Sequence, residues 1–323
     1  MSYAKILIVI FKGENTMLKL KPIALLLGLA TAGLSISAFA ADAPTTAHKQ
    51  DVHVVPPSGH TLTANVGLYS QYVFRGLTQT NEDPSIQGGF DYSHSSGFYA
   101  GTWASNISWL KENTTSAAGV AQGTYNTGGS LEWDFYAGYK GSIGDFGYDV
   151  GLLQYYYPGD IRTGNGFSKA DTLEAYVAGS WKWFTVKYSH SIGNKTFGVA
   201  DSSGTNYVDL SASFPIGETG LTLGAHYGIQ NYRGRDPINT NGASNDALYS
   251  YDDYKISLTY DLGKASKTFE GVTLGVAYSD TNGSNTCGYG AFNQSGNTNG
   301  ACTGIFPKNI ADSQTTVWIS KSF

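Results

Sequence analysis

The chain has 323 residues, of which 14% are aromatic and 14% charged, with 41 glycines and a formal net charge of −5. Low charge and high aromatic content are the opposite of what disordered proteins show, and the acidic balance excludes a basic nucleic-acid-binding protein. Glycines interrupt helices, whereas the many tyrosines, valines and threonines suit strands. The composition therefore predicts an all-β protein.

The first 40 residues have the pattern of a cleaved secretory signal peptide. A basic stretch follows Met17, an apolar run covers residues 23–34, and an Ala-Phe-Ala sequence ends at Ala40. These three parts define such a signal, whereas a membrane anchor needs about 20 apolar residues. We expect Met17 to be the working start, cleavage after Ala40 and a periplasmic tail over 41–60. The first 40 residues hold four of the 20 basic and one of the 25 acidic residues, so the remainder has a net charge of about −8.

From residue 61 onward, apolar or aromatic residues occupy every second position in successive segments. Residues 130–140 show this most clearly, with Leu131, Trp133 and Phe135 on one face and Glu132 and Asp134 on the other. Alternation over about ten residues is typical of barrel strands that have one face in lipid and one in the lumen. The pattern predicts twelve strands, over residues 62–75, 85–94, 97–110, 130–140, 145–157, 171–182, 183–192, 205–216, 220–231, 252–262, 271–281 and 313–323.

The connections between the predicted strands alternate between long and short. Residues 76–84 and 111–129 are long connections, whereas 95–96 and 141–144 are short. Outer-membrane barrels have short periplasmic turns and long extracellular loops, and an even strand number leaves both ends in the periplasm. We therefore predict one transmembrane antiparallel β-barrel over residues 61–323, surrounded by lipid in the outer membrane of a Gram-negative bacterium.

Charged residues on the polar strand faces are the candidates for lining a channel. A barrel Arg or Lys facing lipid at the midplane costs roughly 2–4 kcal/mol, so these residues are expected to face the lumen. Arg75, at the predicted outer end of the first strand, is the candidate for a constriction, and a structural salt bridge to an acid on a neighbouring strand is the alternative. The full set is Arg75, Asp91, Glu132, Asp134, Lys140, Asp149, Glu174, Lys182, Lys187, Asp209 and Lys255.

The sequence does not predict an enzyme, a cofactor or a metal site. Ser93 precedes His94, and Ser189 and Ser191 flank His190, but adjacent residues of a strand point to opposite faces. A catalytic partner from another strand stays open. No phosphate-loop or dinucleotide-binding spacing followed by a helix occurs. The two cysteines have no histidine nearby that could complete a metal site.

Three strand motifs, YVFRG at 72–76, GFYAGTWASN at 97–106 and SKSF at 320–323, resemble those of the proteobacterial TorF porin family. The resemblance covers residues 61–323 and implies an outer-membrane barrel of porin type without an established substrate. A terminal aromatic is what such barrels present to the barrel-assembly machinery. Phe323 is therefore the expected insertion signal, and that machinery is an expected partner.

Two functions are compatible with these patterns. The first is a channel for passive diffusion of small hydrophilic solutes or ions through an open lumen. The second is a structural or adhesive surface barrel with long outer loops and a closed lumen. The sequence leaves the oligomeric state open under both hypotheses.

We predict a disulfide between Cys287 and Cys302, both of which fall in the connection 282–312. An exported chain passes through the oxidising periplasm, and closing a loop of about 15 residues stabilises by roughly 3 kcal/mol in the chain-entropy model. Mass spectrometry of a non-reduced digest should therefore yield the cross-linked peptide. Two alkylatable thiols, the alternative, would contradict the bond. Because no strand pairing depends on it, Cys287→Ser should still assemble as a barrel.

Overall fold

The computed structural model describes residues 59–112, 114–115, 121–122, 124–162, 168–235, 237, 244–283, 289 and 309–323. Within these ranges, antiparallel strands form one closed barrel. In chain order the barrel strands are β1 His60–Tyr69, β2 Ser85–His94, β3 Phe98–Asn106, β4 Leu131–Ile143, β5 Phe146–Tyr156, β6 Thr172–Trp181, β7 Phe184–Ser191, β8 Asn206–Pro215, β9 Leu221–Asn231, β10 Tyr251–Asp261, β11 Val272–Thr281 and β12 Gln314–Ser322.

Each strand is hydrogen-bonded to its neighbours in sequence, and the first strand closes the barrel against the last. Leu68 of β1 is paired with Ile86 of β2 on one side and with Ile319 of β12 on the other. Closure leaves no strand edge with unpaired backbone groups. The prediction of an all-β barrel of about twelve strands is confirmed.

Alternate residues of the strands face opposite sides of the barrel wall. In β4, the exposed Trp133 lies between Glu132 and Asp134, which are both 0% exposed. The same alternation leaves Leu62 of β1 72% exposed and Phe90 of β2 61% exposed. The barrel therefore has an apolar outer surface and a polar interior, and the interior contains the candidate functional residues.

Short and long connections alternate along the chain, as predicted, so each end of the barrel carries one kind. The short-connection end carries residues 95–97, 144–145, 182–183, 216–220 and 262–271, the last with the 3₁₀ turns Leu262–Lys264 and Lys267–Phe269. The long-connection end carries residues 70–84, 107–130, 157–171, 192–205, 232–250 and 282–313. Among the described residues, long segments of chain that can enter the interior therefore start from the long-connection end.

Small elements occur in the long connections. The described parts of these connections contain two short helices, α1 Trp109–Glu112 and α2 Asn245–Tyr249. No helix in the described part of the chain is both long and apolar enough to cross a membrane. The paired short strands are Val73–Phe74 with Leu77–Thr78, Thr114–Thr115 with Ala121–Gln122, Tyr125–Gly128 with Gly159–Ile161, and Lys195–Thr196 with Val199–Ala200.

The structure corrects the predicted end of the first strand. β1 ends at Tyr69, and the chain then turns into the barrel instead of continuing along the wall to Arg75. Arg75 and Gly76 have positive φ angles of 45° and 76°, which reverse the chain between the short strands on either side of them. The alternation predicted over residues 62–75 would put Tyr72 and Phe74 on the lipid face together with Leu62, but both are buried inside the barrel.

Two further strand boundaries differ from the prediction by three or more residues. β3 ends at Asn106, before residue 110, because the following chain forms α1. β4 continues past Lys140 to Ile143, because it remains paired with β5 through Gly141 and Ser142 up to the turn at 144–145. In β3 the alternation of apolar and polar residues continues beyond the end of the strand, whereas in β4 it stops before the strand ends.

Glycines face aromatic residues across the inner side of the wall. Gly101 is paired with Tyr136, and Gly275 with Trp318. A Cβ atom at either glycine would overlap the aromatic ring of its partner. The missing side chain lets a large ring lie flat on the neighbouring strand, a packing known to stabilise sheets.

We expect Gly275→Ala to destabilise the barrel, because the added methyl group must displace the indole of Trp318. Overpacking of this kind typically costs about 1–3 kcal/mol. The matched control is Gly193→Ala, where the nearest atom to the new Cβ would be 3.7 Å away. Samples heated to increasing temperatures are run on gels, and the temperature at which the band of the folded protein disappears should fall for Gly275→Ala only. Equal melting of the two variants would contradict the steric role of Gly275.

Candidate functional site

Most of the charged residues predicted to line a channel lie on the inner side of the strands. Their neighbours of opposite parity are the exposed apolar residues of the outer wall, so the period of two places the charges inside. The inward set is Asp91, Glu132, Asp134, Lys140, Asp149, Glu174, Lys187, Asp209 and Lys255.

Lys182 is placed differently from the prediction. It lies exposed in the turn between β6 and β7 with a φ angle of 55°, and its ammonium is 4.5 Å from the centroid of the Trp181 ring. The prediction continued the alternation of β6 by one residue beyond its end. Lys182 therefore belongs to the surface of the short-connection end.

Arg75 reaches the interior from the connection 70–84 instead of from a strand. Its Nη2 donates to both carboxylate oxygens of Glu174, at 2.8 and 3.1 Å, and its Nη1 donates to Oε1 of Gln230 at 2.9 Å. The residue is only 4% exposed. The salt bridge that the sequence left as an alternative is thus present, and it ties the connection to β6.

Glu132 of β4 is held by two tyrosine hydroxyls from the long connections. Tyr72 donates to Oε1 at 2.7 Å and Tyr157 to Oε2 at 2.8 Å. Both bonds are short, as expected when the acceptor is a carboxylate. Tyr72 and Arg75, from the same connection, therefore each cover one buried acid of the wall.

Asp134 has a different environment from Glu132. Its side chain is fully buried, and neither carboxylate oxygen has a hydrogen-bond partner among the described residues. Its cross-strand neighbours are the aromatic residues Trp103 and Tyr155. A buried polar group without a partner is unfavourable for the folded state, so Asp134 reduces the stability of the wall at this position.

The hydroxyls of Tyr72 and Tyr157 and the guanidinium of Arg75, which the connections bring into the barrel, stay protonated. Burial, together with the Glu132 carboxylate, raises the pKa of the Tyr72 and Tyr157 hydroxyls well above the usual value. For Arg75, burial opposes the charged form, but the Glu174 carboxylate outweighs it and the pKa of the guanidinium is raised. All three groups are therefore protonated donors over the physiological pH range.

A second group of tyrosines holds acids nearer the short-connection end. Tyr99 donates to Asp149 and Tyr136 to Asp91, each at 2.6 Å. Tyr99 also contacts the hydroxyl of Tyr176. The ammonium groups of Lys140 and Lys187 lie 5.1 and 4.1 Å from the ring centroids of Tyr99 and Tyr176. Charges of both signs thus line this part of the interior, separated by aromatic rings.

Sequence reasoning missed the cluster around His226. Its Nε2 lies 2.9 Å from Oδ1 of Asp253 and its Nδ1 lies 3.3 Å from Oδ2 of Asp209. The hydroxyl of Tyr207 lies 3.0 Å from the same Nε2 and donates to Asp253 at 2.9 Å. The inward parity of His226 in β9, between Gly224 and Gly228, was the signal that could have found it.

Ser211 completes an arrangement that superficially resembles a Ser-His-Asp triad. Its Oγ is 3.3 Å from Nδ1 of His226. The hydroxyl hydrogen is directed to the carboxylate of Asp209, whereas nucleophilic catalysis requires it to go to the imidazole. The arrangement is therefore that of a histidine held between the carboxylates of Asp209 and Asp253.

A cavity of about 30 Å³ lies between the connection 70–84 and the wall formed by β10, β11, β12 and β1. Its lining includes Tyr69, Gln71, Lys255 and Trp318. Oε1 of Gln71 and Nε1 of Trp318 have no hydrogen-bond partner in the described part of the chain. A volume of roughly 10–15 Å³ suffices for one water molecule, so the cavity can hold water that satisfies both groups.

The remaining predicted residues lie at the ends of the barrel or outside the described ranges. Phe323 is 71% exposed, its amide donates to the carbonyl oxygen of Ala64 at 2.9 Å, and its ring is 5.5 Å from the Lys321 ammonium. Its role as an insertion signal stays a prediction. Cys287 and Cys302 fall outside the described residues.

A family described as "Bacterial protein of unknown function (Gcw_chp)" matches residues 53–309. No curated protein has a significant match to the chain. The description of this family does not mention TorF, so membership of the TorF family stays an expectation.

Solved porin structures resemble the chain weakly. The KdgM porin, with 8% identity and a TM-score of 0.43, aligns over 81% of this chain and 99% of its own. The NanC porin, with 12% identity and a TM-score of 0.41, covers the same shares. OccAB4 of Acinetobacter baumannii, with 11% identity and a TM-score of 0.36, aligns over 81% of this chain and 62% of its own. At these values the likeness says nothing about what this chain binds or transports.

The two neighbouring acids of β4 should respond oppositely to neutralisation. Glu132→Gln weakens two charge-assisted bonds, each of which contributes about 1.5–3 kcal/mol, so the free energy of unfolding should fall by that order. Asp134→Asn removes the cost of burying an acid that is ionised in the unfolded chain, so it should raise the free energy of unfolding by about 1 kcal/mol. Urea titrations in detergent micelles measure both, with the exposed Glu218→Gln as the control. A stabilising Glu132→Gln or a destabilising Asp134→Asn would refute this account of the two acids.

Proposed function

Because the chain belongs to the Gcw_chp family of bacterial proteins of unknown function, we propose a function from its geometry: a porin-like channel in the bacterial outer membrane for small hydrophilic solutes or ions. One observation carries the proposal, the closed barrel with an apolar outer wall and a charged interior. Lipid on the outside and water on the inside are the two environments that such a wall separates.

The outer surface supports the membrane location. Large apolar side chains such as Leu62, Phe90 and Phe98 are more than half exposed along the wall. Contiguous apolar surface of this extent is unusual for a protein in water. The buried charges of the strands face inward, where they avoid the cost of contact with hydrocarbon. We place the long-connection end outside the cell and the short-connection end in the periplasm, as is usual for such barrels.

The interior supports a channel whose width depends on the connection 70–84. The strands contribute charges of both signs and, towards the short-connection end, small polar residues such as Ser257, Thr259 and Thr273. The groups that cross this space, Tyr72 and Arg75, come from the connection and not from the wall. Solute passage requires this connection to shift or to leave a path beside Arg75.

A second function is favoured by a different observation. Arg75, Glu132 and Asp134 are almost completely buried, which suits a barrel whose lumen stays closed and whose long connections act at the cell surface. The purified protein in a planar bilayer distinguishes the two proposals. Discrete conductance steps are expected for the channel, and their absence in the wild type and in every interior variant would favour the closed structural barrel.

Interior charge should set the ion preference of the channel. We expect Arg75→Ala to raise the preference for cations, because the acids of the wall lose a positive neighbour, and the double variant Glu132→Gln, Asp134→Asn to lower it. Reversal potentials in a salt gradient measure both shifts. Lys182→Ala, in the exposed turn at the short-connection end, is the matched control and should change neither. Unchanged ion selectivity in both interior variants would show that these residues do not line the conducting path.

A further inference from the structure

The guanidinium of Arg75 is enclosed by a cage that has the features of a ligand site. Glu174 and Gln230 accept its hydrogen bonds at 2.8–3.1 Å. Its central carbon lies 4.2 Å from the ring centroid of Tyr207, 4.8 Å from that of Phe74 and 5.6 Å from that of Phe197. We call these five residues the cage.

The polar residues of the cage belong to the wall, and Tyr207 and Gln230 have hydrogen bonds there that do not involve Arg75. Glu174 lies on β6, Tyr207 on β8 and Gln230 on β9. Tyr207 is oriented by its bond to Asp253 at 2.9 Å. The Nε2 of Gln230 donates to the carbonyl oxygen of Asn206 at 3.1 Å, which directs Oε1 towards the cage. Removal of the Arg75 side chain would therefore leave Tyr207 and Gln230 oriented towards the cage.

The chemistry of the cage selects a planar cation. Two nitrogens of one guanidinium plane reach two separate acceptors, a carboxylate and an amide oxygen. Aromatic faces attract a cation within about 6 Å of their centroids. A guanidinium stacks on such faces and donates in its own plane, whereas an ammonium is a strongly hydrated point charge without this fork.

Arg75 holds its position in a backbone conformation that disfavours it. Its φ angle of 45° lies in the left-handed region, which a branched or long side chain seldom adopts. The connection brings Arg75 to the cage as a tethered group, which gives it a high effective concentration there. A free ligand with the same head group must therefore compete with an intramolecular one.

We propose that the cage is a binding site for small solutes that carry a guanidinium or amidinium group, and that Arg75 occupies it as an internal stand-in. This inference rests on the proposed channel function, since it names the class of solute that the interior recognises.

The test uses Arg75→Gly, because glycine tolerates the positive φ angle and vacates the cage, with Arg75→Ala as a second variant. Methylguanidinium is the probe, and its binding to the purified barrel in micelles is measured by saturation-transfer NMR. We expect saturable binding to both variants, at least tenfold tighter than to the wild type. Adding Glu174→Gln to either variant should weaken it at least tenfold. Methylammonium, with the same charge and no planar fork, should bind at least tenfold more weakly than methylguanidinium.

Equal affinity of the single variant and its Glu174→Gln derivative, or equal affinity for the two probes, would overturn the proposal. Bilayer recordings of the same proteins separate this result from the channel function. Binding without any conductance would support the binding site and contradict the channel function. Conductance without selective binding of methylguanidinium would support the channel function and contradict the binding site.

Discussion

Each strand of the wall must pair its backbone on both sides while its side chains face two different environments. The closed ladder from β1 to β12 meets the first demand, and the period of two meets the second. The two demands are linked, because a register slip by one residue would turn every inward charge towards the apolar side. The position of Glu132, Asp134 and Glu174 in the interior thus follows from the pairing of the whole wall.

Hydrogen bonds from tyrosine hydroxyls to carboxylates organise the interior. Tyr72 and Tyr157 hold Glu132, Tyr99 holds Asp149, and Tyr207 holds Asp253. A phenol combines a ring that packs against glycine-lined strands with a hydroxyl that satisfies an acid. This explains how a chain with 23 tyrosines and few basic residues buries so many acids. At Glu174 the guanidinium of Arg75 takes this role in place of a phenol.

Strand parity was sufficient to predict the barrel, its strand number and most inward charges from the sequence. It misplaced Tyr72 and Phe74, because alternating residues continue beyond Tyr69 although the backbone turns inward at the positive φ angles of Arg75 and Gly76. It assigned Lys182 to the interior for the same reason. The pairing of Arg75 with Glu174, 99 positions apart in sequence, depends on tertiary placement of a connection, for which a period of two contains no information.

The seam between β1 and β12 has a consequence for how the barrel forms. Every other wall contact joins strands that are consecutive in the chain, whereas Asn65 is paired with Ser322. The seam therefore carries the longest loop-closure entropy of the wall and cannot form until the last strand has been synthesised and delivered. Until then β1 presents an open edge, which can pair with the strands of other chains unless it is protected.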